Sequence, residues 1–309
     1  MITNKSRRSV LKKIASATSL SVVSDSMFNR IAAAENQLEE EKLAGKINHS
    51  ACRWCYSTIP LEELCKVGKK LGLSSIDLLA PEEWATANKY GLVSSMGFAQ
   101  PKGFGIPKGF NRLENHKTLV EFYEDLIPKA ANAGLPNIIC FSGNREGLSD
   151  EMGIKNCAEG LKKLMKLAEK HKINVVMELL NSKVNHKDYQ CDHTAWGVEL
   201  CKAIGSDRFK LLYDIYHMQI MEGDIIRNIK EYHPYIAHYH TGGVPGRNEI
   251  DDSQELYYPA IMKAIVDTGY KGFVAQEFIP IHKSNPASEK PTKEDQLASL
   301  KKCVKICDI

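Results

Sequence analysis

Phe209–His217 reads FKLLYDIYH: largely apolar residues run into Asp214, and a histidine follows three positions later. Such a run predicts a buried β-strand. A carboxylate stripped of water without a partner is expensive, so a strand that ends on one needs something to compensate it. The rest of the chain points to a divalent cation as that partner.

The same kind of run recurs on both sides. KINHSAC, SSIDLL, GLVSSM, NIICFS, INVVMEL, FKLLYD, YIAHYH and GFVAQEF make eight candidate strands after residue 45. Between them lie amphipathic stretches with apolar residues at three- and four-residue spacing, which predict helices over Pro60–Leu73, His116–Gly134 and Asn156–His171. Gly134 and Gly205 stand where helix ends are expected. Alternating strands and helices call for a parallel sheet, and eight βα units in a single domain over residues 35–309 fit a (β/α)8 TIM barrel. A doubly wound open sheet is the competitor. It lacks support, because no glycine-rich phosphate loop follows any strand, and GFGIPKG at Gly103–Gly109 has the wrong spacing and setting.

In such a barrel the chemistry sits at the C-terminal ends of the strands. There strand five carries Glu178, strand six Asp214, strand seven His240 and strand eight Glu277, at intervals of 36, 26 and 37 residues, each about one βα unit. Any one of them could cap a helix or pair with a lysine. Together they put three carboxylates and an imidazole on adjacent staves, where the carboxylates must protonate or recruit a cation. Oxygen-rich donors with one nitrogen suit one divalent ion, Mn²⁺, Mg²⁺ or Co²⁺, better than thiolate-bound structural zinc. Strand alternation places His238 on the same side as His240 but one layer deeper, where a hydrogen-bonded core histidine is expected. His217, Arg247 and Asn181 fall at the same mouth and are candidates to bind an anionic or polyhydroxy substrate. Trp54 and Trp84, after strands one and two, read either as pocket wall or as core.

MELLN, LLYDIYHMQ, HYHTGGVPGRNE and AQEF, at this spacing, resemble the xylose-isomerase-like barrels, most closely their hydroxypyruvate isomerase branch. The resemblance covers nearly the whole chain from about residue 45, and VPGRNE together with DIYHMQ is its most specific part. It implies that Glu178 and Glu277 are both metal ligands and the acid/base pair, that Asp214 and His240 complete the metal shell, and that His217 and Arg247 contact substrate. One residue departs from that branch: hydroxypyruvate isomerases often carry Gln where this chain has His240, whereas ketose 3-epimerases carry His.

The chemistry follows from the residues as well. Moving a hydrogen between adjacent carbons of a hydroxy-carbonyl compound means removing a weakly acidic C–H proton and stabilising the enediolate that results. Two glutamates flanking the substrate can take that proton and return one at the next carbon. For hydroxypyruvate the product is tartronate semialdehyde, with Arg247 a natural partner for the carboxylate; a longer sugar would be isomerised or epimerised. The expected partner is thus a small hydroxy-carbonyl acid or sugar. Two rivals share the architecture: a phosphodiesterase like the endonuclease IV barrels, which needs further histidines after strands two and three, and a non-catalytic sugar-binding barrel, which would not need both glutamates.

The N-terminus stands apart. Residues 1–34 carry paired arginines in SRRSVLK (Ser6–Lys12), a short, mildly apolar stretch and Ala32–Ala34, and together these resemble a twin-arginine export signal. On that reading the protein is periplasmic or otherwise exported, and the remainder carries 35 basic against 37 acidic residues. Such a balance does not describe a nucleic-acid groove. No run reaches the roughly 18 apolar residues of a membrane span. Nine scattered cysteines, CRWC at Cys52–Cys55 among them, outline no complete disulfide framework and read as buried thiols. The longest connection, Gly97–Asn115, carries Phe98, Phe104 and Phe110 and reads equally as a lid or as a surface excursion packed on the rim. The oligomeric state stays open, a homo-oligomer included.

Overall fold

The structure is a computed structural model that describes residues 42–309. The expected export signal lies outside the described residues. All eight strands form where apolar runs place them: β1 (Asn48–Cys52), β2 (Ser75–Asp77), β3 (Val93–Ser94), β4 (Asn137–Cys140), β5 (Asn174–Glu178), β6 (Phe209–Asp214), β7 (Ile236–Thr241) and β8 (Phe273–Gln276). Every pairing is parallel, in the order β3-β2-β1-β8-β7-β6-β5-β4. The sheet curls into a TIM barrel.

The seam lies between β3 and β4, and it is narrower than GLVSSM suggests. β3 pairs over only two residues, and the chain then reaches across at Gly97, which bridges both Leu79 and Ile138. Gly97 N–H donates to Asn137 O at 2.9 Å and its carbonyl accepts from Ile139 N at 3.1 Å. A side chain at 97 would press on Leu135, Trp84 and Ile138, so the closest approach of the two staves needs glycine.

Helices cover the outside: α1 (Leu61–Lys70), α2 (Trp84–Lys89), α3 (His116–Asn132), α4 (Asp150–His171), α5 (Thr194–Ile204), α6 (Ile215–Met221), α7 (Ile225–Tyr232), α8 (Tyr258–Asp267) and α9 (Lys293–Cys307). α4 starts six residues before the expected Asn156. Ser149 caps it by accepting from Met152 N at 3.2 Å, and Asp150 and Glu151 complement the dipole of the first turn. Gly205 ends α5 in the left-handed region, at φ 75°. All nine cysteines are free, and only Cys55 is not buried.

The barrel places its strand ends in register. Asp214 pairs with His240, and His240 with Ala275, so the last turn of three neighbouring staves opens at one level. Glu277 is the first residue after β8, and Glu178 the last of β5.

Candidate metal centre and active-site cavity

Glu178, Asp214, His240 and Glu277 converge: their ligand atoms all lie within 4.8 Å of one another, and all four residues are buried. Asp214 divides its work. Oδ1 caps α6 by accepting from His217 N at 3.2 Å, while Oδ2 faces the cluster and accepts from Arg247 Nη2 at 2.8 Å. The same Arg247 nitrogen donates to Glu277 Oε2 at 2.6 Å, and Trp54 Nε1 donates to Glu277 Oε1 at 2.7 Å. Arg247 is held between the rings of Trp54 and Tyr216, at 5.4 and 5.3 Å. Its own backbone sits at φ 59°, a conformation that costs a non-glycine residue about 1 kcal/mol or more. Hydrogen bonds Arg247 N→Gly243 O and Ile279 N→Arg247 O, at 2.8 and 2.7 Å, keep it there.

Three buried carboxylates and one guanidinium do not balance. Burial, aided by the charge of Glu277, pushes Glu178 up. Burial likewise raises Asp214 to about 7, against the pull of Arg247. Glu277 goes the other way: burial alone would raise it, but Arg247 and His240 hold it well below the usual carboxylate range. The imidazole is also incomplete. His240 Nδ1 lies 2.5 Å from Glu277 Oε2 and 3.7 Å from Glu178 Oε1, yet is aligned for a hydrogen bond to neither. A buried ring nitrogen without a hydrogen bond, aimed at three carboxylates, fits a divalent cation with three oxygen donors and one nitrogen. Among the described residues this donor set is the one predicted from the spacing of the strands.

Beside it opens a cavity of ≈ 300 Å³, lined by the polar Glu178, Glu277, Arg247 and His186 and by the largely apolar Trp54, Leu78, Phe98, Ile106, Ile139, Phe141 and Leu180. Phe98 and Ile106 come from the long 97–115 loop, which is therefore a wall of the cavity. Its far end is pinned: Phe110 N and Asn111 N donate to Phe141 O and Ser142 O at 3.1 and 2.8 Å, and Phe110 packs on Tyr123. Of the two tryptophans, Trp54 is pocket wall and Trp84 is core, donating to Leu79 O.

His217 and Asn181 meet just behind this wall rather than on it. Asn181 N donates to His217 Nδ1 at 3.1 Å, which leaves the ring proton on Nε2, and that Nε2 is buried without a hydrogen bond, 3.6 Å from Asp214 Oδ2. Burial and Arg247 hold His217 neutral. Asn181 Oδ1 accepts from Val184 N and Asn185 N at 3.0 and 2.9 Å, so its side chain shapes the loop after β5.

The model of the xylose isomerase-like TIM barrel family matches residues 80–307, well over half of the chain. The chain belongs to the xylose isomerase-like TIM barrel family. Among relatives of this barrel, a human protein provisionally named hydroxypyruvate isomerase is 25% identical over 232 residues, 74% of this chain and 77% of its own length. The hydroxypyruvate isomerase of Escherichia coli is 29% identical over 151 residues, 48% of this chain and 57% of its own. A Brucella melitensis protein solved as an AP endonuclease of family 2 superposes with a TM-score of 0.67 at 23% identity, covering 77% of this chain and 95% of that one, a likeness of fold alone.

Two residues of this xylose isomerase-like site escape the sequence reading. His186 lines the cavity from the loop after β5, where nothing in HKDYQ distinguishes it from a surface histidine. Asp77 sits inside SSIDLL, a short apolar run, and meets its partners only across the barrel interior.

Proposed function

We propose that this protein is a divalent-metal-dependent isomerase that moves a hydrogen between adjacent carbons of a small hydroxy-carbonyl compound by way of an enediolate. The observation that carries the reading is the convergence of Glu178, Asp214, His240 and Glu277 within 4.8 Å at the barrel mouth, beside a cavity that both glutamates line. The relatives named hydroxypyruvate isomerase support the isomerase class and make hydroxypyruvate, converted to tartronate semialdehyde, the first substrate to try.

Glu178, Asp214, His240 and Glu277 would hold the ion. A bound divalent cation supplies positive charge close to the carbonyl and hydroxyl oxygens, where negative charge develops as the C–H proton leaves. The residues do the rest. Glu178 and Glu277 face one another across the donor cluster, so one can accept the proton from the first carbon while the other delivers one to its neighbour. Trp54 fixes Glu277 by its indole N–H, and Arg247, held in its aromatic clamp, is placed to take a substrate carboxylate or hydroxyl once the ion shares the charge of Asp214 and Glu277. Behind the cavity wall the Nε2–H of His217 lies 3.6 Å from Asp214 Oδ2 and supports that carboxylate, and Asn181 keeps that tautomer in place. The apolar wall excludes water from the reacting carbons.

A second reading, a ketose 3-epimerase or related sugar isomerase, has two observations in its favour. The ≈ 300 Å³ cavity is roomy for a three-carbon acid, and His240 stands where hydroxypyruvate isomerases often carry Gln. One assay addresses both. Hydrogen exchange with deuterated solvent, with Mn²⁺ present, is followed by NMR on hydroxypyruvate and on a panel of ketoses. Wild-type protein is expected to exchange a carbon-bound hydrogen of its substrate. Glu178→Gln and Glu277→Gln are expected to lose at least about a hundredfold in that exchange. Wild-type exchange rates in either variant would remove the glutamate pair, and the substrate that exchanges fastest decides between acid and sugar.

Export belongs to the same proposal: residues 1–34 act as a twin-arginine signal that delivers the folded enzyme across the membrane. Arg7→Lys with Arg8→Lys is expected to leave the protein in the cytoplasm. Fractionation showing undiminished export of this double variant would refute the signal.

A further inference from the structure

One buried charge next to the site takes no part in the chemistry above. Asp77, at the end of β2, is fully buried inside the barrel, against the opposite nitrogen of the His240 ring from the donor cluster. Its Oδ2 lies 2.7 Å from His240 Nε2 and 3.2 Å from His238 Nε2, with the thiol of Cys52 at 3.6 Å. Its Oδ1 accepts from the Ser95 hydroxyl, which in turn accepts from Ser75 at 2.8 Å. Desolvating a carboxylate here is costly, and leaving it unpaired would cost far more. Small apolar side chains would fill the same space without that cost, so a role for the carboxylate has to lie in what it orients.

We infer that Asp77 is a positioning residue that fixes the His240 ring in the tautomer and orientation needed to bind the metal. The argument is one of proton bookkeeping. A carboxylate can only accept, so Nε2 of His240 must carry the proton that it shares with Asp77. When an ion displaces any proton that Nδ1 shares with Glu277, 2.5 Å away, the lone pair belongs to Nδ1, the nitrogen that points at Glu178 and Glu277. Imidazole binds a cation through such a lone pair, and a carboxylate on the opposite nitrogen both sets the ring angle and strengthens the donor. His238, packed edge-on to His240 with centroids 5.1 Å apart, and Ser95 hold the carboxylate itself in place. Asparagine at 77 could present its N–H₂ to Nε2. That would favour the other tautomer, with a proton on Nδ1 and no lone pair for the ion.

This inference rests on the metal reading above, and the test separates the two. Co²⁺ alone is titrated into the metal-free wild-type protein and into Asp77→Asn, and both calorimetry and the visible absorption of bound Co²⁺ are recorded. The expected result is one tight site in the wild type, affinity lower by about 10–100-fold in Asp77→Asn, and an altered Co²⁺ spectrum, with far-UV circular dichroism unchanged. If the wild type binds Co²⁺ and Asp77→Asn matches it in affinity and spectrum, the inference is overturned and the metal reading stands. If the wild type binds no Co²⁺, the metal reading falls and takes the inference with it. Should the variant fail to fold, ¹⁵N-labelled histidine in the Zn²⁺-loaded wild type still decides: a proton on His240 Nε2 supports the inference, and an unprotonated Nε2 overturns it.

Discussion

Two buried acidic regions lie a few ångströms apart in this barrel and have opposite character. Asp77 meets two histidines, a serine and a thiol, and although burial alone would raise it, the flanking histidines hold it far below the usual carboxylate range. It is a finished piece of the fold. Glu178, Asp214 and Glu277 share a single guanidinium, and two of the three are pushed up by burial. A structure that satisfied its charges at β2 and left them short at β5, β6 and β8 has put the shortfall where substrate arrives. Residues with perturbed ionisation in a cleft are what a functional site produces.

The largest effect that would sharpen this contrast comes from supplying the missing charge. Metal-free protein is expected to gain about 2.7 kcal/mol of stability at a Mn²⁺ concentration a hundred times the dissociation constant, read as a rise in the unfolding temperature. Asp214→Asn, which removes one donor, should lose most of that gain. If Mn²⁺, Mg²⁺ and Co²⁺ all leave the unfolding temperature unmoved, the three carboxylates are a self-contained network and the contrast with Asp77 is one of degree.

The contrast also explains what could be read from the sequence. Glu178, Asp214, His240 and Glu277 were legible because each closes an apolar run, and the runs repeat at the interval of one βα unit. A barrel converts that one-dimensional rhythm into one point in space. Asp77 also ends a strand, but SSIDLL runs on past it through Leu78 and Leu79, so no break in the apolar run marks it. Its partners, His238 and His240, are 161 and 163 residues away on a stave that is not its neighbour, and only the closed barrel brings them together. Gly97 was hidden for a similar reason: its tight contacts with Leu135 and Ile138 belong to the seam, which exists only after closure. His186 lies on a loop, where no periodicity marks one side of the chain from the other.

A smaller effect tests whether satisfied acids elsewhere behave like Asp77. Asp192 ties the loop after β5 to the loop after β4. It accepts from Arg145 through both oxygens at 3.0 and 3.1 Å and from Ser182 at 2.5 Å, and it contacts His193 at 2.8 Å. Burial opposes its charge, but the bonds from His193, Arg145 and Ser182 win and lower it to about 2. A group lowered in the folded state adds stability that is present above its unfolded value, about 3.9, and is lost as the pH falls through the folded one. The network reaches solvent at Arg145 and His193, so screening brings its worth down to about 1–2 kcal/mol. Asp192→Asn is therefore expected to be destabilised by about that much in urea at pH 6, and the gap to wild type should shrink on approach to pH 2.5. A gap that stays constant across this range would mean that Asp192 acts through shape and neutral hydrogen bonds. Charge satisfaction would then be a property of the barrel interior at Asp77 and not of the loops that frame its mouth.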